Sequence, residues 1–212
     1  TASFYEKNDL NTSDMHPFIH PLSAAIDPVW ETKSDWEIYK FIAKKFSEIV
    51  VGHLGKEKDV VLLPLLHDTP TELGQPFGVK DWKLNECDLI PGKTMSSIHE
   101  VERDYINTYS NFISLGPLME KLGNAVKGMN WDTKDEVLFL KHENGVNAFG
   151  NEKIETAIDA AEVILTLAPE TNGSVSFKAW DFLSKKTGID HTHLINGKKE
   201  IHLRFRDLQC QP

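Results

Sequence analysis

Pro17, Pro21 and Pro28 deny a helix to the first thirty-three residues of this chain, and Ser34-Asp35-Trp36-Glu37 then starts one. Each proline lacks an amide proton and clashes with a preceding helical turn. The tetrapeptide is a capping box: the Ser hydroxyl takes an orphan amide and Glu37 reaches back three residues. Behind it Tyr39, Ile42, Ala43, Phe46, Ile49 and Val50 recur at helical spacing, while Lys40, Lys44, Lys45 and Glu48 take the other face. Gly52 or Gly55 ends the helix. The polar run before it, Tyr5-Glu6-Lys7 and Asn11-Thr12-Ser13-Asp14, offers amide, hydroxyl and carboxylate groups beside the imidazoles of His16 and His20. It suits either a loop lining a polar pocket or a solvated linker. The junction reads as the end of one structural unit and the start of another, so the chain is expected to be an internal piece of a longer protein.

Further on, Val60 to Leu63 is either a short strand or the apolar side of a loop. Asp68 to Thr94 is rich in Pro and Gly and reads as a surface-wrapping segment. Ile98, Val101, Tyr105 and Phe112 are roughly in helical phase and predict a helix over 96–113, with another from Pro117 to Gly123. Thr133-Lys134-Asp135-Glu136 is a second capping box, opening a helix to about Lys141. Apolar stripes from Ile154 to Ala168 and from Val175 to Leu183 predict two antiparallel helices joined by Pro169–Gly173, the second stopped by Gly188. Ile201-His202-Leu203-Arg204-Phe205 alternates as a half-buried strand does. The expected fold class is mainly α within an α+β piece: a bundle-like helical region with a few short strands. Three regions follow: an irregular segment (1–33) dense in groups that can face a ligand, a capped helix with a long loop and further helices (34–123), and a helical hairpin with a terminal strand (124–212).

Composition excludes several functions. A net charge of −9, from 23 basic and 32 acidic side chains, argues against a nucleic-acid surface. The longest apolar runs are far shorter than a membrane span, so no direct membrane insertion is expected. Cys87 and Cys210 lie far apart without zinc spacing, which suits a reducing compartment and inert thiols. His16 and His20 have i, i+4 spacing, but Pro17 and Pro21 disfavour the helix that would join them, and the Glu of a zincin motif is missing. Asp190-His191-Thr192-His193 is read as a polar loop satisfying its own backbone in preference to a ligand pair. Glu100, Glu102 and Asp104 read as a solvated helix face. No nucleophile elbow or phosphate-binding glycine loop occurs. The residues alone therefore point to no self-contained active site.

The same stretches carry a family resemblance. Thr1-Ala2-Ser3-Phe4-Tyr5-Glu6-Lys7 resembles the segment following a core strand in molybdopterin oxidoreductases of the dimethyl-sulfoxide-reductase family, and Trp30–Ile38 is similar to that family's linker into its next helix. Where most members carry an Asn-x-Glu-Gly-Arg type of sequence, this chain reads Asn11-Thr12-Ser13-Asp14-Met15-His16-Pro17. That variant resembles the catalytic alpha subunits of membrane-associated respiratory nitrate reductases. So do Cys87–Thr94, Gly116–Lys121, Leu165–Gly173, Asp190–Leu194 and Arg204–Asp207.

The resemblance implies a parent enzyme reducing nitrate to nitrite in anaerobic respiration, at a molybdenum bis(molybdopterin guanine dinucleotide) centre. It also implies a 4Fe-4S cluster in the full-length subunit, an iron-sulfur beta subunit and a haem-bearing membrane gamma subunit. The assembly would sit on the cytoplasmic face of the cell membrane. In such a site the metal carries oxygen-atom transfer and the protein supplies orientation and electrostatics. The family's cluster-binding Cys/His segment and its molybdenum-ligating Asp segment have no match here. The piece alone is thus expected to hold no cofactor and to be inactive, with no catalytic or metal-ligating residue of its own. Asn11, Thr12, Ser13, Asp14 and His16 are the expected cofactor-side residues in the intact enzyme. Other readings are a related chlorate or perchlorate reductase subunit, a non-enzymatic helical interaction module, and a small metalloprotein using His191 and His193.

Overall fold

A hairpin occupies the stretch expected to be irregular. In the computed structural model, which describes residues 1–13, 16–63, 84–86, 88–91, 96–116, 124–126, 129–195 and 198–208, β1 (Asp9–Ser13) pairs antiparallel with β2 (His16–Leu22). Leu10 lies opposite Pro21, Asn11 opposite His20, Thr12 opposite Ile19, and Ser13 opposite His16 after a register shift. The prolines that exclude a helix do not exclude this ladder. Each strand of a two-stranded sheet has an open edge, where a missing amide proton costs no pairing. The flanks are stitched together by backbone: Ala2 N–H donates to the Lys33 carbonyl at 2.8 Å, and the Ala25 and Ile26 amides both donate to Tyr5 O at 2.8 and 3.1 Å.

The capping box forms as the sequence predicts. Glu37 N–H donates to Ser34 Oγ at 3.3 Å, and Ser34 N–H donates to Glu37 Oε2 at 3.1 Å, opening α1 (Asp35–Ile49). Gly52, at φ +83°, lies just past its end. The apolar stripe of α1 is less buried than its periodicity implies. Ala43 and Val50 are enclosed, whereas Tyr39, Ile42 and Ile49 face outward. Its inner side packs on α2 (Thr108–Phe112), with Trp36 stacked on Phe112 at 4.8 Å and Phe46 edge-on to Tyr105 at 6.2 Å.

The helix expected over 96–113 is instead strand β4 (Ser97–Asp104) followed by α2. β4 pairs with β3 (Lys56–Leu63), so Val60–Leu63 is strand. The acids read as a solvated helix face make cross-strand ion pairs, Lys58–Glu100 at 2.7 Å and Lys56–Glu102 at 3.1 Å, and on the other face of the ladder Arg103 pairs with Asp59 at 2.7 Å. Each pair is exposed and screened by solvent, so singly it adds little stability. Together they set register, and Ile98 and Val101 are β-branched. Most of Asp68–Thr94, the predicted Pro117–Gly123 helix, Cys87 and Cys210 lie outside the described residues.

A third ladder, β5 (Asn124–Val126) with β6 (Met129–Trp131), leads into α3 (Lys134–Asn144). Thr133 occupies the N-cap of α3, but the expected box does not close. Its hydroxyl is buried and finds no partner among the described residues, while Glu136 binds Lys178 at 2.7 and 2.9 Å and Ser174 at 3.3 Å. An ammonium makes the stronger, charge-assisted bond and takes the carboxylate. A box does form at Thr156 and Asp159, opening α4 (Ala157–Leu167).

α5 (Gly173–Thr187) follows the predicted connection and ends at Gly188, whose φ of +75° suits glycine. The helices and turn are as expected, but their packing partners differ. α4 packs against α3 and α6 (Phe205–Leu208), and α5 against β6 and a 3-10 turn at Thr192–Ile195. The expected strand at 201–205 reduces to one bridge, His202 to Asn172, because Phe205 turns into α6 and is fully buried.

Phe205 meets Ala161 and Leu165 of α4, and Leu10, Ile19 and Ile158 pack around them. This core fastens the β1–β2 hairpin to the C-terminal helices. With three two-stranded sheets and six α-helices among the described residues, the architecture is mixed α+β. Among those residues no helix is long and apolar enough to cross a membrane.

Candidate groove beside the first hairpin

Glu6 and Lys7, which the sequence leaves open between pocket lining and solvated linker, are buried pins. Ser3 to Glu6 forms a turn closed by Glu6 N–H to Ser3 O at 3.0 Å. The Glu6 carboxylate then accepts Ser3 N–H at 2.7 Å and Val29 N–H at 3.2 Å, and the Ser3 amide, with that of Val29, holds its pKa below the usual range. Lys7 Nζ lies 2.9 Å from Asp9 and 3.0 Å from Asp35, and the Asp9 bond followed by that to Asp35 raises its pKa. These bonds join the opening turn to β1 and to the first turn of α1. The same ammonium lies 5.0 Å from the centre of the Phe4 ring.

With Glu6 and Lys7 turned inward, Phe4 and Tyr5 are left outward, at 61% and 73% exposure. They border a groove of about 530 Å³ whose lining includes Asn11, Pro21, Ser23 and Ala25. Aromatic faces, a carboxamide and a hydroxyl meet there on a rigid support. A second groove, of about 430 Å³, runs between β1, α1 and α4. Its carboxylates, Asp9 and Asp35, are already bound to Lys7, so it offers a ligand less.

Of the five expected cofactor-side residues, Asn11 borders the larger groove and is exposed. Thr12 and Ser13 continue β1, and His16 begins β2 opposite Ser13, so the hairpin brings these positions together. Asp14 lies outside the described residues. His16 and His20 are on an extended strand, where an i, i+4 pair is about 13 Å apart, unlike on a helix. Phe4 and Tyr5 are the groove residues that motif reading undervalues. Their only sequence signal is an aromatic pair directly before a Glu-Lys that the fold consumes.

The second histidine cluster is structural. Asp190 Oδ1 accepts the Thr192 hydroxyl at 2.6 Å and its amide at 2.9 Å, and those bonds lower its pKa. His191 lies against Trp180, with its backbone amide donating to Ser184 Oγ at 2.8 Å. His193 is exposed on the 3-10 turn. Among the described residues no group of three His, Cys, Asp or Glu side chains is arranged to hold a metal ion.

Comparison with known proteins gives this geometry a family. Residues 1–45, which include the whole larger groove, match the family model described as molybdopterin oxidoreductase. Residues 122–212 match the one described as nitrate reductase alpha chain, domain V. The chain is 63% identical over 216 aligned residues to the respiratory nitrate reductase 1 alpha chain of Escherichia coli, covering all of this chain and 17% of that protein. It is 50% identical over 212 residues to the respiratory nitrate reductase alpha chain of Bradyrhizobium, again over its full length and 18% of the relative. The perchlorate reductase subunit alpha of Dechloromonas aromatica matches 27% of the chain, at 40% identity over 58 residues. The chain thus spans less than a fifth of the length of the nitrate reductase relatives it matches. It belongs to the molybdopterin oxidoreductase family, on the branch of the respiratory nitrate reductase alpha chains.

Proposed function

We propose that this chain forms part of the catalytic alpha subunit of a respiratory nitrate reductase. The observation that carries this reading is identity of 63% along its whole length to one such alpha chain. The shorter perchlorate reductase match makes nitrate the favoured substrate over a chlorine oxyanion. In the proposed reaction nitrate gives up one oxygen with two electrons and two protons, leaving nitrite and water. Electrons would come through 4Fe-4S centres from an iron-sulfur beta subunit and a haem-bearing gamma subunit, on the cytoplasmic face of the membrane.

The cofactor of this reading is a molybdenum bis(molybdopterin guanine dinucleotide), and the lining of the larger groove suits one ring system of such a group. Its guanine and the pyrimidine part of its pterin are flat heterocycles with donor and acceptor edges, and the groove sets aromatic faces beside a carboxamide and a hydroxyl. When bound, the group supplies the two-electron oxygen-atom transfer. The chain's own part is binding and orientation. Phe4 and Tyr5 form an apolar wall bordered by Asn11, and Asn11, Thr12, Ser13, Asp14 and His16 are the residues assigned to the cofactor or the substrate path.

The test is alanine substitution of Asp14 and of His16 in the full-length enzyme, with nitrate turnover and protein abundance both measured. The expected result is turnover lowered about tenfold at unchanged abundance, a typical loss for one positioning contact. Wild-type kinetics in both variants would overturn the cofactor-side assignment.

A further inference from the structure

We infer that Tyr5 is a stacking surface for a planar ring of the bound pterin group, with Asn11 meeting that ring's polar edge. The inference rests on the cofactor-side reading above and deepens it to a named contact.

One exposed aromatic side chain needs no explanation. Here two adjacent rings border one groove, and the backbone beneath them is fixed. The Tyr5 carbonyl accepts two amides, from Ala25 and Ile26. The turn that carries the rings is closed by Glu6 N–H to Ser3 O and again by the Glu6 carboxylate on Ser3 N–H. Phe4 already meets the Lys7 ammonium, whereas among the described residues no ring or cation lies against Tyr5, so its ring is the one offered to a ligand. A platform ordered before binding loses little conformational freedom when a ring settles on it. Offset stacking on such a ring suits a pterin or guanine plane.

Polar groups complete the argument. Asn11 presents a donor and an acceptor on the same side chain, and Ser23 adds a hydroxyl at the same groove. A surface built only to be covered by another apolar protein segment would leave this carboxamide without a partner.

The experiment uses the assembled reductase carrying Tyr5→Phe, Tyr5→Leu or Tyr5→Ala in its alpha chain. Pterin release on mild heating is followed by the fluorescence of the freed, oxidised pterin, and molybdenum per alpha chain is measured before heating. Tyr5→Phe keeps the ring and should release pterin within about twofold of wild type. Tyr5→Leu and Tyr5→Ala should release it about tenfold faster, the scale of one lost stacking contact. Tyr5→Leu keeps apolar bulk, so it remains informative where Tyr5→Ala fails to assemble.

Wild-type release in Tyr5→Leu would overturn the inference and indicate that protein, not a heteroaromatic ring, covers this wall. Release as fast in Tyr5→Phe as in Tyr5→Leu would overturn it too, by moving the contact to the hydroxyl. If the Asp14→Ala and His16→Ala enzymes are still impaired, only the stacking contact is lost. If those enzymes also behave as wild type, the cofactor-side reading falls with it.

Discussion

Gly173 and Lys198 are in backbone contact: a β-carbon on Gly173 would lie 1.8 Å from the Lys198 carbonyl oxygen. Around that contact Gly173 N–H donates to Ile201 O at 2.6 Å, and Leu203 N–H donates to Thr171 O at 2.9 Å. The turn before α5 is itself fastened to α4, with Thr171 Oγ1 donating to Leu165 O at 2.7 Å and Asn172 Nδ2 donating to Thr166 O at 2.8 Å. The segment around 198–203 therefore lies across the 168–173 turn as a strap.

Gly173→Ala should lower stability by about 3 kcal/mol, because backbone atoms and not a flexible side chain must move. Urea unfolding of the alpha chain, read against the wild type, measures it.

Phe205→Ala should cost about 3–5 kcal/mol. Its ring is fully buried against Ala161 and Leu165, and the neighbours include Leu10 and Ile19 of the first hairpin. Limited proteolysis should then show faster cleavage near Asp9–Leu22 as well as near the strap, since one core holds both.

Arg206 neutralises two acids of α4. Its guanidinium lies 2.7 Å from Asp159 and 3.3 Å from Glu162, and Glu162 is fully buried, its Oε2 meeting no partner among the described residues. Arg206→Met should destabilise by about 3 kcal/mol by leaving a buried carboxylate without its counter-ion. Adding Glu162→Gln to that variant should restore part of the loss. Denaturant midpoints of the two single variants and the double variant check both statements.

His202 is half-buried, with Nε2 3.2 Å from Thr166 Oγ1 and its ring 5.0 Å from Phe139. Burial lowers its pKa below the ordinary 6.5, and Arg204 adds to that while Glu162 opposes it. The folded state thus prefers the neutral ring. Above pH 6.5 both states are neutral and the group contributes no pH dependence. As pH falls below 6.5 the unfolded chain takes the proton first, so stability declines until the folded pKa is reached. His202→Gln should flatten that decline, which thermal melts between pH 7 and pH 5 would reveal.

Legibility in the sequence followed the range of the interaction. The Ser34–Glu37 box was readable because both partners lie within three residues and nothing else competes for them. The box at Thr133–Glu136 has the same spelling and fails, because Lys178, forty-two residues away, takes the carboxylate. Strand β4 was hidden because its acids find their bases on β3, which the helical phase of Ile98 and Val101 does not reveal. At the groove, Asn11 was legible as a polar group in a polar run. Phe4 and Tyr5 gained their meaning only when Glu6 and Lys7 turned inward.

The sequence by itself determined the start of α1, the stops of α4 and α5, the turn between α4 and α5, and the family, since these rest on local geometry or on runs of identical residues. Tertiary structure alone decided which acids are counter-ions, that Leu10 and Ile19 share a core with Phe205, and that two aromatic rings face outward above a pinned turn. A local bond is specified by neighbours in the chain. A buried charge or a shared core is specified by whichever distant group can satisfy it at lowest free energy, and only the folded chain brings those groups together.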